Sequence, residues 1–178
     1  FTNSIYSQFS RKGIPYSIER ATNSIVNTFV MPTIDNSDLQ TQAAAFEDNC
    51  TDCKNKFYGK GIDVEIDIKT TGQLEILGDN SKLWLLKITS LTSYGMQFYF
   101  NKFKLPYGAT LYIYNEEKSS LLGAFTRENN NLDQTKPIQF GTQWIEGNSI
   151  IIEYHEPYNP EYEGEIKIKN IVHIFKDV

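Results

Sequence analysis

Between Ile62 and Lys69 the chain reads IDVEIDIK, with Ile62, Val64, Ile66 and Ile68 alternating with Asp63, Glu65, Asp67 and Lys69. A period of two puts the first set on a buried face and the charges in water, which defines a strand covered on one side. Those charges also guard the strand against edge-to-edge pairing. The same grammar runs on to the end of the chain. TGQLEIL and SKLWLLKI are parted by Gly78-Asp79-Asn80, and Trp84, Leu86 and Ile88 share a face of the second. SYGMQFYFNKFKL carries Phe98 and Phe100, then Phe103 and Leu105. Its phase slips by one residue after Phe100, and either a β-bulge or a sharp bend absorbs the extra residue. After a turn at Pro106–Gly108, Leu111 and Ile113 share one face and Tyr112 and Tyr114 the other. SLLGAFT, PIQFGTQWI, NSIIIEYHEP and GEIKIKNIVHIFK complete the series; Ile150, Ile152 and Tyr154 point inward in the third.

The count is about eight to ten short strands with turn signals between them and no helical pattern, so a βαβ arrangement is excluded. The expected fold is all-β: a jelly-roll-like, two-sheet antiparallel β-sandwich over residues 61–178, with one short N-terminal helix and an irregular N-terminal extension. Residues 1–60 are rich in Asn, Ser, Thr and turn formers and show little periodicity. They are expected to pack on the body as an extended segment. Their helix is placed at about residues 38–48, with Ser37 as its cap and Gln40 closing a capping box. Leu39, Ala43 and Phe46 form its packing side.

The composition narrows function by exclusion. A net charge of -5 offers no general attraction to nucleic acid, and no run is long enough to span a bilayer. The start FTNSIYSQF suits a mature chain that has lost a leader. Cys50 and Cys53 form one CTDC motif. It reads as a short-loop disulfide, as free thiols, or as redox or metal chemistry; two thiols alone do not make a zinc site. Asn49-Cys50-Thr51 is a formal glycosylation sequon.

His155 and His173 are the only imidazoles, and alternation turns both outward, toward the surface or a neighbouring domain. No G-x-S-x-G elbow, phosphate loop or dinucleotide fingerprint is present. The acidic stretches Glu116–Lys118 and Glu156–Glu165 read as solvated turns. Calcium is the one cofactor such turns could take, and no D-x-D-x-D-G loop supports it. The aromatic residues Tyr112, Tyr114 and Trp144, with Tyr158 and Tyr162, are candidates for a glycan-stacking surface. The alternative for Tyr112 and Tyr114 is a structural position beneath the N-terminal extension.

A longer signal comes from elements that arrive in order. Trp84, Leu86 and Ile88 form a W-x-L-x-I strand. Phe103, Leu105, Pro106, Gly108, Ala109, Leu111, Ile113 and Tyr114 form F-x-L-P-x-G-A-x-L-x-I-Y. Gly123, Phe125, Thr126 and Asn129 follow, then Gly147-Asn148 where an aspartate is usual, then Val172-His173. From roughly Leu39 to Phe175 the chain resembles the N-terminal, non-catalytic region ahead of the trypsin-like domain in secreted bacterial endopeptidases of the lysyl endopeptidase type. The resemblance implies a pro-region or accessory domain, secreted or periplasmic, that assists folding, latency or secretion of a catalytic domain. Its partner is then that downstream or cognate protease domain, and no residue of this chain carries peptide hydrolysis. The alternative is an extracellular module of the same fold that binds glycans or other proteins.

Overall fold

A computed structural model describes residues 13–20, 26–49 and 57–177. The Cys50–Cys53 pair lies outside the described residues, as does most of the sequon.

The elements, in chain order, are α1 (Tyr16–Glu19), β1 (Asn27–Val30), α2 (Asn36–Asp48), β2 (Gly59–Asp67) and α3 (Ile68–Thr71). Then come β3 (Gln73–Ile76), β4 (Lys82–Thr89), β5 (Gly95–Lys104), β6 (Thr110–Asn115) and β7 (Leu121–Phe125). A 3-10 turn at Arg127–Asn129 leads to β8 (Phe140–Gly141), β9 (Ile145–Glu146), β10 (Ser149–Glu156) and β11 (Glu165–Ile174). Among the described residues there are three short helices where the sequence predicts one. The strand from Ile62 stops at Asp67, whose carboxylate caps the one-turn α3 by accepting the Lys69 amide at 3.0 Å.

Two sheets result. The first has the order β1-β4-β10-β6-β7, with β3 also on β4. β10 pairs along the whole of β4, so β3 and β1 share the other edge end to end, β3 on Lys82–Leu85 and β1 on Leu86–Thr89. The β1–β4 pair is parallel, and the other pairs among the described strands are antiparallel. The second sheet has the order β2-β11-β5, with β8 and β9 sharing the far edge of β5.

The inward faces meet in one core. Trp84, Leu86, Ile88, Leu111, Ile113, Ile150, Ile152 and Tyr154 come from the first sheet, and Phe98, Phe100, Phe103, Ile166, Ile168 and Ile171 from the second. Each such side chain contributes about 1.5–3 kcal/mol by leaving water. The phase slip in β5 is a bulge: Phe100 faces Ile168 and Lys102 faces Lys167, leaving Asn101 as the extra residue. It lets Phe100 and Phe103 both reach the core with no exposed surface.

The outer faces differ. That of the second sheet carries ion pairs such as Lys167–Asp67 at 3.2 Å and Lys169–Glu65 at 3.8 Å. That of the first carries a covered apolar patch around buried polar groups. Leu83 and Leu85 pack there with Tyr16 and Ile151, and Tyr112, Tyr114 and Ala124 pack with Ile18.

The helix α2 starts two residues earlier than its sequence signals suggest. Its cap is Asp35, which accepts the Ser37 and Asp38 amides at 2.9 and 3.4 Å. A carboxylate complements the positive helix end better than the Ser37 hydroxyl, which itself donates to Asp35 at 2.6 Å. Gln40 closes no capping box; its amide donates to the Phe175 carbonyl at 2.9 Å. Leu39 and Ala43 are buried with Phe175 as expected, but Phe46 is 54% exposed.

Candidate functional site: the covered face of the first sheet

Four buried polar clusters stand out among the described residues, and one of them joins the sandwich to residues 13–20. On β10 alternation sends Ile151, Glu153 and His155 to the outer face of the first sheet, opposite the core residues Ile152 and Tyr154. Residues 13–20 lie over this face. Pro15, with φ −54 and ψ 141, precedes α1 and leaves the first amides of that turn without intrahelical partners. Glu153 supplies the acceptor. Its carboxylate takes the Tyr16 amide at 2.5 Å and the Ser17 amide at 3.4 Å. It also takes the Ser17 hydroxyl at 2.5 Å and the Tyr114 hydroxyl at 3.1 Å.

Ser17 Oγ and Tyr114 Oη are also 2.6 Å apart, which closes a triangle of three oxygens with Glu153. An ionised Glu153 leaves two protons for three edges. Ser17 donates to Glu153 on the shortest edge, and the Tyr114 proton is shared between Ser17 Oγ at 2.6 Å and the Glu153 carboxylate at 3.1 Å. Burial pushes the Glu153 carboxyl above its ordinary value, against the downward pull of its donors. Burial and the neighbouring carboxylate raise the Tyr114 phenol, so it stays protonated as a donor. Tyr112 is raised too, first by burial.

His155 lies beside this clamp. Its ring stacks on Tyr16 with centroids 4.4 Å apart, and the Arg20 guanidinium sits 5.6 Å from the Tyr16 ring. Burial lowers its pKa, and its Nε2 has no hydrogen-bond partner. Thr110, its register neighbour on β6, likewise has an unpartnered Oγ1. Thr110 and Tyr112 then open into a groove of about 620 Å³ whose walls include Tyr107, Ala124 and Arg127.

The other clusters are joints within the sandwich or between it and α2. His173 is fully buried, not outward to solvent, because α2 docks on it. Its Nδ1 meets Ser90 Oγ at 2.8 Å and its Nε2 meets Asn36 Oδ1 at 2.7 Å. Asn36 commits its amide to the Thr92 carbonyl, so its oxygen faces His173 and Nε2 carries the proton. Nδ1 then accepts from Ser90. The set has the outline of a nucleophile, a base and an orienting group, but Ser90 and His173 are 1% and 0% exposed. Glu156, expected in a solvated turn, is buried as well. It takes the Tyr154 hydroxyl and the Gly164 amide, each at 2.6 Å, and pairs with Lys69 at 3.1 Å. Lys69 in turn lies 4.9 Å from the Trp84 ring. The fourth cluster joins β5 to the strand fragments beside it, with Gln139 Oε1 on the Phe103 amide at 3.0 Å and Thr142 Oγ1 on the Phe98 amide at 3.1 Å.

The structure separates the predicted aromatic surface. Tyr112 and Tyr114 are 5% and 2% exposed beneath residues 13–20. Trp144 lies beside the other sheet, against Gly95, and is 39% exposed. Tyr158 stands exposed by itself, and Tyr162 donates to the Leu105 carbonyl at 2.8 Å. The acidic turns are engaged, with Glu116 on Lys87 and Glu161 on Arg127, each at 3.1 Å. Among the described residues no three His, Cys, Asp or Glu side chains converge as metal ligands, and no helix is long and apolar enough to cross a membrane. Sequence reasoning missed Glu153 and Ser17. The available signal was the apolar character of Leu83, Leu85 and Ile151 at outward positions, which demands a cover.

Compared with protein-family models, with curated proteins and with solved structures, the chain matches none.

Proposed function

We propose that this chain is a non-catalytic pro-region or accessory module of a secreted, lysyl endopeptidase-type serine protease, and that it works by holding polypeptide. The observation that carries the reading is the clamp of residues 13–20 on Glu153. The polar side chains on the covered face are spent on gripping a segment of chain. The ordered motif residues support the same reading, since Phe103, Leu105, Leu111 and Ile113 are all fully buried. They serve the sandwich and not a reaction. The strand pairing supports a jelly roll. With β8 and β9 counted as one strand, β2 pairs β11, β4 pairs β10, β5 pairs β8/β9 and β6 pairs β7, a nested set.

The test is to add the purified chain to the separately unfolded catalytic domain of a lysyl endopeptidase-type protease. A raised refolding yield, or slow tight inhibition of the folded enzyme, supports the reading. Neither effect at a several-fold molar excess removes it.

The groove beside Tyr112 favours a second reading, a glycan-binding module. Tyr107 is 74% exposed on its rim and Arg127 supplies donors. Retardation in polysaccharide-containing gels that is lost in Tyr107→Ala would favour it over the first.

A further inference from the structure

Residues 13–20 are attached to the sandwich in an unusual way. Their described backbone–backbone bonds are all local: Ile18 and Glu19 to Pro15, and Arg20 to Tyr16. Among the described residues no ladder joins them to a strand. Their backbone reaches the sheet, among the described residues, through one side chain, the Glu153 carboxylate, more than 130 residues away in sequence. The other contacts are side-chain contacts: Tyr16 over His155, the Ser17 hydroxyl in the oxygen triangle, and Ile18 against Tyr112, Tyr114 and Ala124. Each would be made equally well by the same residues supplied from another molecule.

We propose that the outer face of the first sheet is an acceptor site for a polypeptide segment, and that residues 13–20 are its occupant in cis. The partner it fits is a segment that opens a helical turn with an aromatic residue followed by serine, as Tyr16-Ser17 do here. Two successive free amides and a hydroxyl satisfy Glu153, the aromatic ring covers His155, and an aliphatic residue next in line fills the space over Tyr112 and Tyr114. An incoming segment exchanges like for like. What holds the cis segment in place is its effective concentration, about millimolar for a short connection. The inference rests on the polypeptide-holding reading but needs no protease.

The experiment uses the full chain and a fluorescein-labelled peptide of residues 13–20, read by anisotropy. The wild-type chain is expected to bind the peptide only near the millimolar range. Ser17→Ala weakens the cis segment and leaves the acceptor face intact, so its affinity for the wild-type peptide is expected to rise about tenfold or more. Glu153→Gln is expected to lose binding. No binding by the Ser17→Ala chain, or undiminished binding by Glu153→Gln, overturns the proposal. Should Glu153→Gln fail to fold, a peptide carrying Ser17→Ala puts the same question to the Ser17→Ala chain, and equal affinity for both peptides overturns it. A positive result here with no effect on protease refolding separates the acceptor site from the protease assignment.

Discussion

Acidification should loosen this molecule through His173. The ring is neutral in the fold, donating from Nε2 to Asn36 and accepting at Nδ1 from Ser90. Burial holds its pKa below the ordinary value. A histidine favoured neutral by the fold contributes fully above its unfolded-state pKa and loses that contribution as pH falls from there toward the lowered folded value. From about pH 7.5 to about pH 5.5 an unfolded histidine near 6.5 takes up most of a proton. If the folded ring takes up none, linkage sets the loss at up to about 1.4 kcal/mol for His173 alone. His155, also lowered by burial, adds in the same direction, whereas Glu153, raised by burial, gains as pH falls through its folded value. His173→Gln isolates the one ring. It should cost about 1–3 kcal/mol at the upper pH through the two lost hydrogen bonds. Its pH curve should be flatter than wild type by up to the linkage figure. Urea unfolding at several pH values measures both. Parallel wild-type and variant curves would refute a neutral, proton-excluding His173.

Two further perturbations address the covered face. Glu153→Gln keeps the shape but turns an amide NH₂ toward donors, so a loss of about 2–3 kcal/mol is expected; for a chain of this size that is a Tm lower by about 4–12 °C in calorimetry. His155→Phe keeps the stack on Tyr16 and removes the stranded Nε2, so stability in urea should rise by about 0.5–1 kcal/mol.

Much of the sandwich was legible because it rests on a local period. The inward sets from Ile66 to Ile152 and the phase slip after Phe100 follow from alternation, which needs no knowledge of which strands are neighbours. The acidic outward positions of β2 also read correctly, and Glu65 keeps 90% of its side-chain surface. The same rule fails at Glu153, which is fully buried at an equally outward position. Nothing local separates the two glutamates. The difference is a cover made by residues 13–20, too short to show a period and distant in sequence. His173 fails the same way, since α2 is what buries it. The helix cap was misplaced by two residues because Asp35 and Ser37 are both good caps and only the geometry shows which one meets the free amides.

Amide hydrogen exchange at Tyr16 and Ser17 tests the clamp most directly. The account predicts protection of both amides in the wild-type chain, and its selective loss in Glu153→Gln while Ile152 in the β10 ladder stays protected. Amides of Tyr16 and Ser17 that exchange freely in the wild-type chain, or that stay protected without the Glu153 carboxylate, would contradict it.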